Sequence, residues 1–146
     1  MHAHSQLRRL LATGLLLAIG LSARGQTNSW IDGSSKWETT NNWSLGRAPS
    51  LSDSADYITN ASTKTVTIDA TTSGSHPSTL SITNLQLSAP APSTNTLALN
   101  SAGTLTPLHV LDSFIITNGG LLTITNSALQ VDGVNGDAFL VEGEMR

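Results

Sequence analysis

The chain has 146 residues, with seven Lys+Arg against ten Asp+Glu. Without residues 1–25 it carries four basic and ten acidic groups, a formal charge of −6. That balance excludes a basic nucleic-acid surface, because nothing here could displace counterions from many phosphates. With no cysteine, a disulfide framework, thiolate chemistry, a lipoprotein anchor and a Cys-based zinc site are excluded as well.

Residues 1–25 read as a cleaved signal peptide. Arg8 and Arg9 hold the amino end on the cytoplasmic side, and Leu10 to Leu21 is a twelve-residue apolar run. Ala23-Arg24-Gly25 then places small residues three and one positions before Gln26, as a signal peptidase needs. Twelve apolar residues reach about 18 Å as a helix, short of the roughly 30 Å hydrocarbon core. The expectation is export to the periplasm, the cell surface or the medium, with no membrane span in the mature chain.

Residues 26–61 form a tryptophan-rich cap segment. Four of the six mature aromatics fall here, as Trp30, Trp37, Trp43 and Tyr57. Two readings of the indoles compete. In one they plug the first coil of the fold, each burying up to about 250 Å² with its N–H bonded to a carbonyl at a strand end. In the other Trp30, Trp37 and Trp43 are exposed and stack on sugar rings, with Asn41, Asn42 and Asp32 hydrogen-bonding hydroxyls, which makes a small carbohydrate-binding module.

Residues 62–146 read as strands. Thr65 to Asp69, Leu80 to Ile82, Leu97 to Leu99, Leu122 to Ile124 and Leu129 to Val131 alternate apolar with small polar residues, the period of a half-buried strand. Turn signals separate them at Ser73 to Pro77, Ala89 to Ser93, Ser101 to Gly103, Asn118 to Gly120 and Asp132-Gly133. Ser, Thr and Asn supply more than a third of the chain after Gly25, which would suit a disordered stalk were the apolar alternation absent.

Asn84, Asn100, Asn118 and Asn126 each end a short strand, the first three at nearly even intervals and the fourth after a shorter one. Recurrent turn asparagines at such intervals suggest a short parallel β-helix, in which amides in register share hydrogen bonds along the stack. A β-sandwich is the alternative fold, although hairpins favour Asn-Gly or Asp-Gly turns and only Asn118-Gly119 and Asp132-Gly133 supply them in the strand region. The C-terminal end reads as an unfinished coil, since Phe139 to Arg146 begins another strand and turn.

The chemistry-bearing residues are sparse. Asp132, Asn135 and Asp137, set among glycines, would suit calcium's oxygen preference, although Val134 occupies a ligand position. No other cofactor is expected. Asp53 and Asp56 stand three apart in a serine-rich loop, where aspartates usually cap or turn the backbone. His76 and His109 have no second histidine or acid at ligand spacing, and no serine carries nucleophile-elbow glycines. The expectation is a chain without enzyme activity.

Trp37, Asn42-Trp43, Gly46, Pro49 and either Asp53-Ser54-Ala55 or Asp56-Tyr57-Ile58 form a recurrent opening pattern. A strand and Leu/Gly-rich coils such as Gly120 to Gly133 follow it. In these residues the chain resembles the N-terminal portion of secreted bacterial β-helix proteins of the autotransporter passenger-like kind, with autotransporter-associated β-strand repeats. The resemblance implies a structural or adhesive role on extracellular polysaccharide or cell-surface components, as the head of a longer solenoid with ends that invite self-association. The family's long array of coils and its membrane barrel are not seen in these residues.

Overall fold

The computed structural model describes residues 25–136 and 139–146. The signal-peptide reading therefore lies almost wholly outside the described residues, as do Asp137 and Ala138. The described chain is all-β, with eleven strands and one short helix.

The elements run β1 (Gln26–Ser29), β2 (Ser35–Lys36), β3 (Asp53–Ile58), β4 (Lys64–Ile68), α1 (Ala70–Ser75), β5 (Ser81–Ile82) and β6 (Leu85–Leu87). They continue as β7 (Asn95–Val110), β8 (Phe114–Ile116), β9 (Gly120–Val131), β10 (Phe139–Val141) and β11 (Glu144–Met145). One sheet has the order β1-β3-β6-β8-β10, and the other β11-β9-β7-β4-β2 with β5 also on β7. Every pairing between these strands is parallel. The hairpins of a sandwich are thus missing among the described residues, and the sole antiparallel bridge joins Trp30 to Trp43.

The register gives the length of each pass. Ser29 pairs with Tyr57, Tyr57 with Gln86, Gln86 with Ile115 and Ile115 with Leu140. The two central steps equal the 29 residues that separate Asn84 from Ser113, a pair bonded across the same passes. The last step is shorter. On the other sheet Val66 pairs with Leu97 and Leu97 with Leu122. The step from one strand to its neighbour is therefore much longer than the interval between the asparagines, and of those four only Asn100 and Asn126 fall at nearly the same register position, on β7 and β9.

Side-chain alternation builds the core. Ile58, Leu85, Leu87, Phe114 and Ile116 point inward from the first sheet, while Val66, Ile68, Leu97, Leu99 and Leu122 do so from the second. Leu80, Ile82, Leu108 and Val110 join the same core, where β5 lies on the last residues of β7. Each fully buried Leu or Ile contributes roughly 1.5–3 kcal/mol. The strand pattern at Leu97 to Leu99 does not stop at Ser101 to Gly103. The chain bends there, with Ser101 at φ 57° and Gly103 at φ 81°, and continues to Val110. β9 bends in the same way at Asn126, φ 45°.

The expected turn at Ser73 to Pro77 is instead the end of α1. Asp69 caps that helix, accepting the N–H groups of Thr71 (2.8 Å) and Thr72 (3.3 Å), while Asp69 N–H donates to Thr72 Oγ1 (3.1 Å). Two close approaches require glycine at the corner after β8. Gly119 has φ 74°, and a Cβ on either Gly119 or Gly120 would overlap the backbone carbonyl of Ala89 or of Leu87. No helix among the described residues is long and apolar enough to cross a membrane.

Candidate functional site

The tryptophans occupy the end of the molecule at which β1 and β2 are the outermost strands. Trp30, Trp37 and Trp43 are 3%, 0% and 1% exposed. Trp43 stands edge-on to both others, with centroids 5.1 Å apart in each pair. Each indole N–H reaches a carbonyl: Trp30 that of Gly33 (2.8 Å), Trp37 that of Thr79 (3.0 Å), and Trp43 that of Trp37 (2.7 Å). Asn42 ends a 3-10 turn, Thr40–Asn42, and its carbonyl accepts Ile31 N–H (2.8 Å). No indole face is open, so the exposed sugar-stacking platform required for a carbohydrate module is not formed by these residues. The physical reason is the T-shaped packing, which places each ring against the next and the first pass of the sheets.

The segment after Trp37 folds back over the outer edge of β1. Ser44 N–H donates to Ser29 O (2.8 Å), Ile31 N–H to Asn42 O (2.8 Å) and Leu45 N–H to Asn28 Oδ1 (3.1 Å). At Ser29 both outward backbone groups of the edge strand are thereby occupied, the N–H by Ser44 Oγ (2.9 Å) and the carbonyl by Ser44 N–H, which blunts that end of the edge as a template for pairing with other chains.

A polar interior lies beneath this cover. Asn28, Asp53 and Asp56 are at most 2% exposed. Arg47 donates to both oxygens of Asp53 and to Ser50 Oγ (2.8 Å), and Ser50 N–H adds a bond to Asp53 Oδ2 (3.0 Å). Asn28 donates to Arg47 O (3.1 Å). Asp56, by contrast, has no hydrogen-bond partner on either oxygen among the described residues. Burial first, and the negative charge of Asp53 second, push its carboxyl up to about 8, with Arg47 acting the other way. An open groove of about 760 Å³ lies beside the Arg47–Asp53 pair, lined also by Gln26, Ser52, Ser54 and Thr83.

The residues suggested for calcium do not converge among the described residues. Asp132 accepts from Gln130 Nε2 (2.8 Å) and contacts His109 Nε2 (2.7 Å). Asn135 is turned to Asp112, whose oxygens take its backbone N–H (3.1 Å) and Nδ2 (3.0 Å). Asp137 lies outside the described residues, and no group of three His, Asp or Glu among the described ones could hold a metal ion. The Asp132 carboxyl is held below its ordinary range by Gln130 and then by His109.

Sequence reasoning missed the His109–Asp132 contact because the two stand 23 residues apart. They meet through the register of β7 on β9, where His109 pairs with Gln130. The recoverable signal was the continuation of the strand pattern past Gly103. The asparagine ladder also differs from expectation. Asn60 Nδ2 donates to Trp30 O (2.9 Å), and Asn95 Nδ2 to Asn60 O (2.9 Å) and Ser88 O (2.7 Å). Asn84 donates to Ser54 O (2.8 Å) and accepts from Ser113 N–H (3.1 Å). Amides do tie successive passes together, but to main chain rather than to one another, and Asn84 alone of the four expected residues takes part.

Comparisons with protein-family models, with curated proteins and with solved structures find no match for this chain.

Proposed function

We propose that this chain is the head of an exported parallel β-helix with a structural or adhesive role and no catalytic one. The observation that carries the reading is the difference between the two ends of the strand stack. At the first pass the tryptophans fill the interior and residues 42–45 cover the Ser29 end of β1. At the last pass Phe139, Leu140, Val141 and Met145 are 40%, 44%, 38% and 53% exposed. A solenoid needs a finished terminal repeat at each outer end, whereas a repeat that carries another is left apolar and unpaired.

The uniform parallel pairing and the near-constant step from one pass to the next support the β-helix architecture. Export rests on the charge, length and cleavage pattern of residues 1–25. The Ser/Thr-rich outer rows, such as Thr65 beside Thr96 and Thr67 beside Ala98, suit broad contact with extracellular polysaccharide or cell-surface components. Further coils are the natural cover for the open edge, and end-to-end association of two copies is the alternative cover.

The experiment is the intact mass of the product recovered from producing cells and their medium. The expected result is a species that begins at Gln26 and extends beyond Arg146. A mass of residues 26–146 alone, monomeric in solution, would remove the argument for a head that carries further coils.

A further inference from the structure

Asp56 is held in place by its strand. It is in register with Asn28 of β1 on one side and Leu85 of β6 on the other, and its N–H donates to Asn84 O (2.9 Å). Alternation along β3 points it inward, between the half-exposed Ala55 and Tyr57. It is 0% exposed, and neither oxygen has a partner among the described residues.

Few groups near it could balance a charge. Asp53, on the same strand, already carries one negative charge, and Arg47 from the cap is committed to Asp53 through both terminal nitrogens. From β1 comes Asn28, with its amide committed to Arg47 O and Leu45 N–H. From β6 comes Leu85, which has no charge. An ionised Asp56 would be a second, unpaired negative charge in the interior, and such a group neutralises itself instead.

We propose that Asp56 is a proton lock on the cap. Its carboxyl is a neutral acid while β1, β3 and the covering segment are packed together, and it ionises only as that packing loosens. The cap is therefore gripped in acid and slackens toward alkaline pH. This inference stands on the interior of the first pass and is independent of export or adhesion.

The sign follows from proton counting. The unfolded chain releases this proton near the ordinary 3.8, and the folded chain holds it to about 8. Between those values the folded state binds more protons, so stability falls as pH rises. The slope is about tenfold in the folding equilibrium constant per pH unit, with the contribution complete below the lower value and gone above the upper one.

The test is a carbon-detected NMR titration of the Asp56 carboxyl, alongside urea unfolding of the protein and of Asp56→Asn from pH 4 to pH 9. Both are run in sodium, potassium and calcium chloride. The expected result is a carboxyl still protonated at pH 7 in all three salts. The unfolding equilibrium should fall with pH in the protein and stay flat by comparison in Asp56→Asn. Amide protection at Ile31 and Ser44, the reporters of the covering segment, taken relative to the intrinsic base-catalysed exchange rate at each pH, should fall at pH 9 in the protein alone. A carboxyl that titrates near 4 would overturn the proposal, and salt dependence of that titration would identify a bound cation as the neutralising partner. Parallel pH profiles for the two proteins would overturn it equally. If Asp56→Asn fails to fold, the titration of the unaltered protein decides.

Discussion

Trp43 is the residue on which the cap turns. Its ring touches both other indoles, its N–H is bonded to Trp37 O, and its backbone bridges Trp30. Replacing it with alanine empties a site that is 1% exposed and leaves the Trp37 carbonyl without its donor. The expected loss is about 3–5 kcal/mol in urea unfolding, and retention on polysaccharide should change no more than the folded fraction does. A stable Trp43→Ala that has lost only polysaccharide retention would restore the sugar-stacking reading. At this scale the sequence was informative about residue type and silent about exposure. A cluster of Trp, Asn and Asp is the same whether the rings face water or one another, and the choice is made by the fold-back of residues 42–45, which no local pattern specifies.

At the level of single elements, the alternating segments were legible and their joins were not. Thr65 to Asp69 announced β4, and Leu97 to Leu99 lay within β7, because period-two burial leaves a direct imprint on the chain. Ser101 to Gly103 looked like a turn because it has the same residues as one. In a parallel stack the positive φ angles at Ser101 and Gly103 bend a strand around a corner without ending it. α1 was missed for a related reason. Six residues are too few for a helical period, and the Asp69 cap was the only local sign.

The asparagine corner gives a direct test of the interpass bonding. Asn95 is fully buried and makes three bonds, donating to Asn60 O and Ser88 O and accepting from Lys64 N–H (3.0 Å). Asn95→Leu keeps the size and removes all three, leaving two carbonyls and an N–H unsatisfied in the interior. The expected cost is about 3 kcal/mol, measured by urea unfolding, with amide exchange at Lys64 accelerated. A change below about 0.5 kcal/mol would mean that the corner is held by strand pairing alone.

Over the whole molecule, the two ends differ in what they offer another chain. The outer side of β10 has three consecutive half-open apolar residues and carries no Lys or Arg to discourage pairing. Concentration-dependent association of the protein is therefore expected in sedimentation velocity, and Leu140→Lys should shift it toward the monomer without lowering the unfolding free energy by more than about 0.5 kcal/mol. Equal association of the two proteins would place the contact elsewhere. This asymmetry was half visible beforehand. Phe139 to Val141 read as the start of another strand and turn, whereas the closure of the other end depends on contacts between Asn28, Ser29 and residues 42–45 that pattern alone does not reveal.

The covered edge of β1 also gives the fold a direction. Within each sheet every strand lies parallel on its neighbours, so what differs between the ends of the stack is how the outermost strands are finished. With Ser29 already bonded to Ser44 and the far edge at β10 apolar and open, the two ends are not interchangeable, and a further strand is accepted more readily at the far one. An added strand thus has one favoured place to join, and the stack has a polarity set by its two unlike edges.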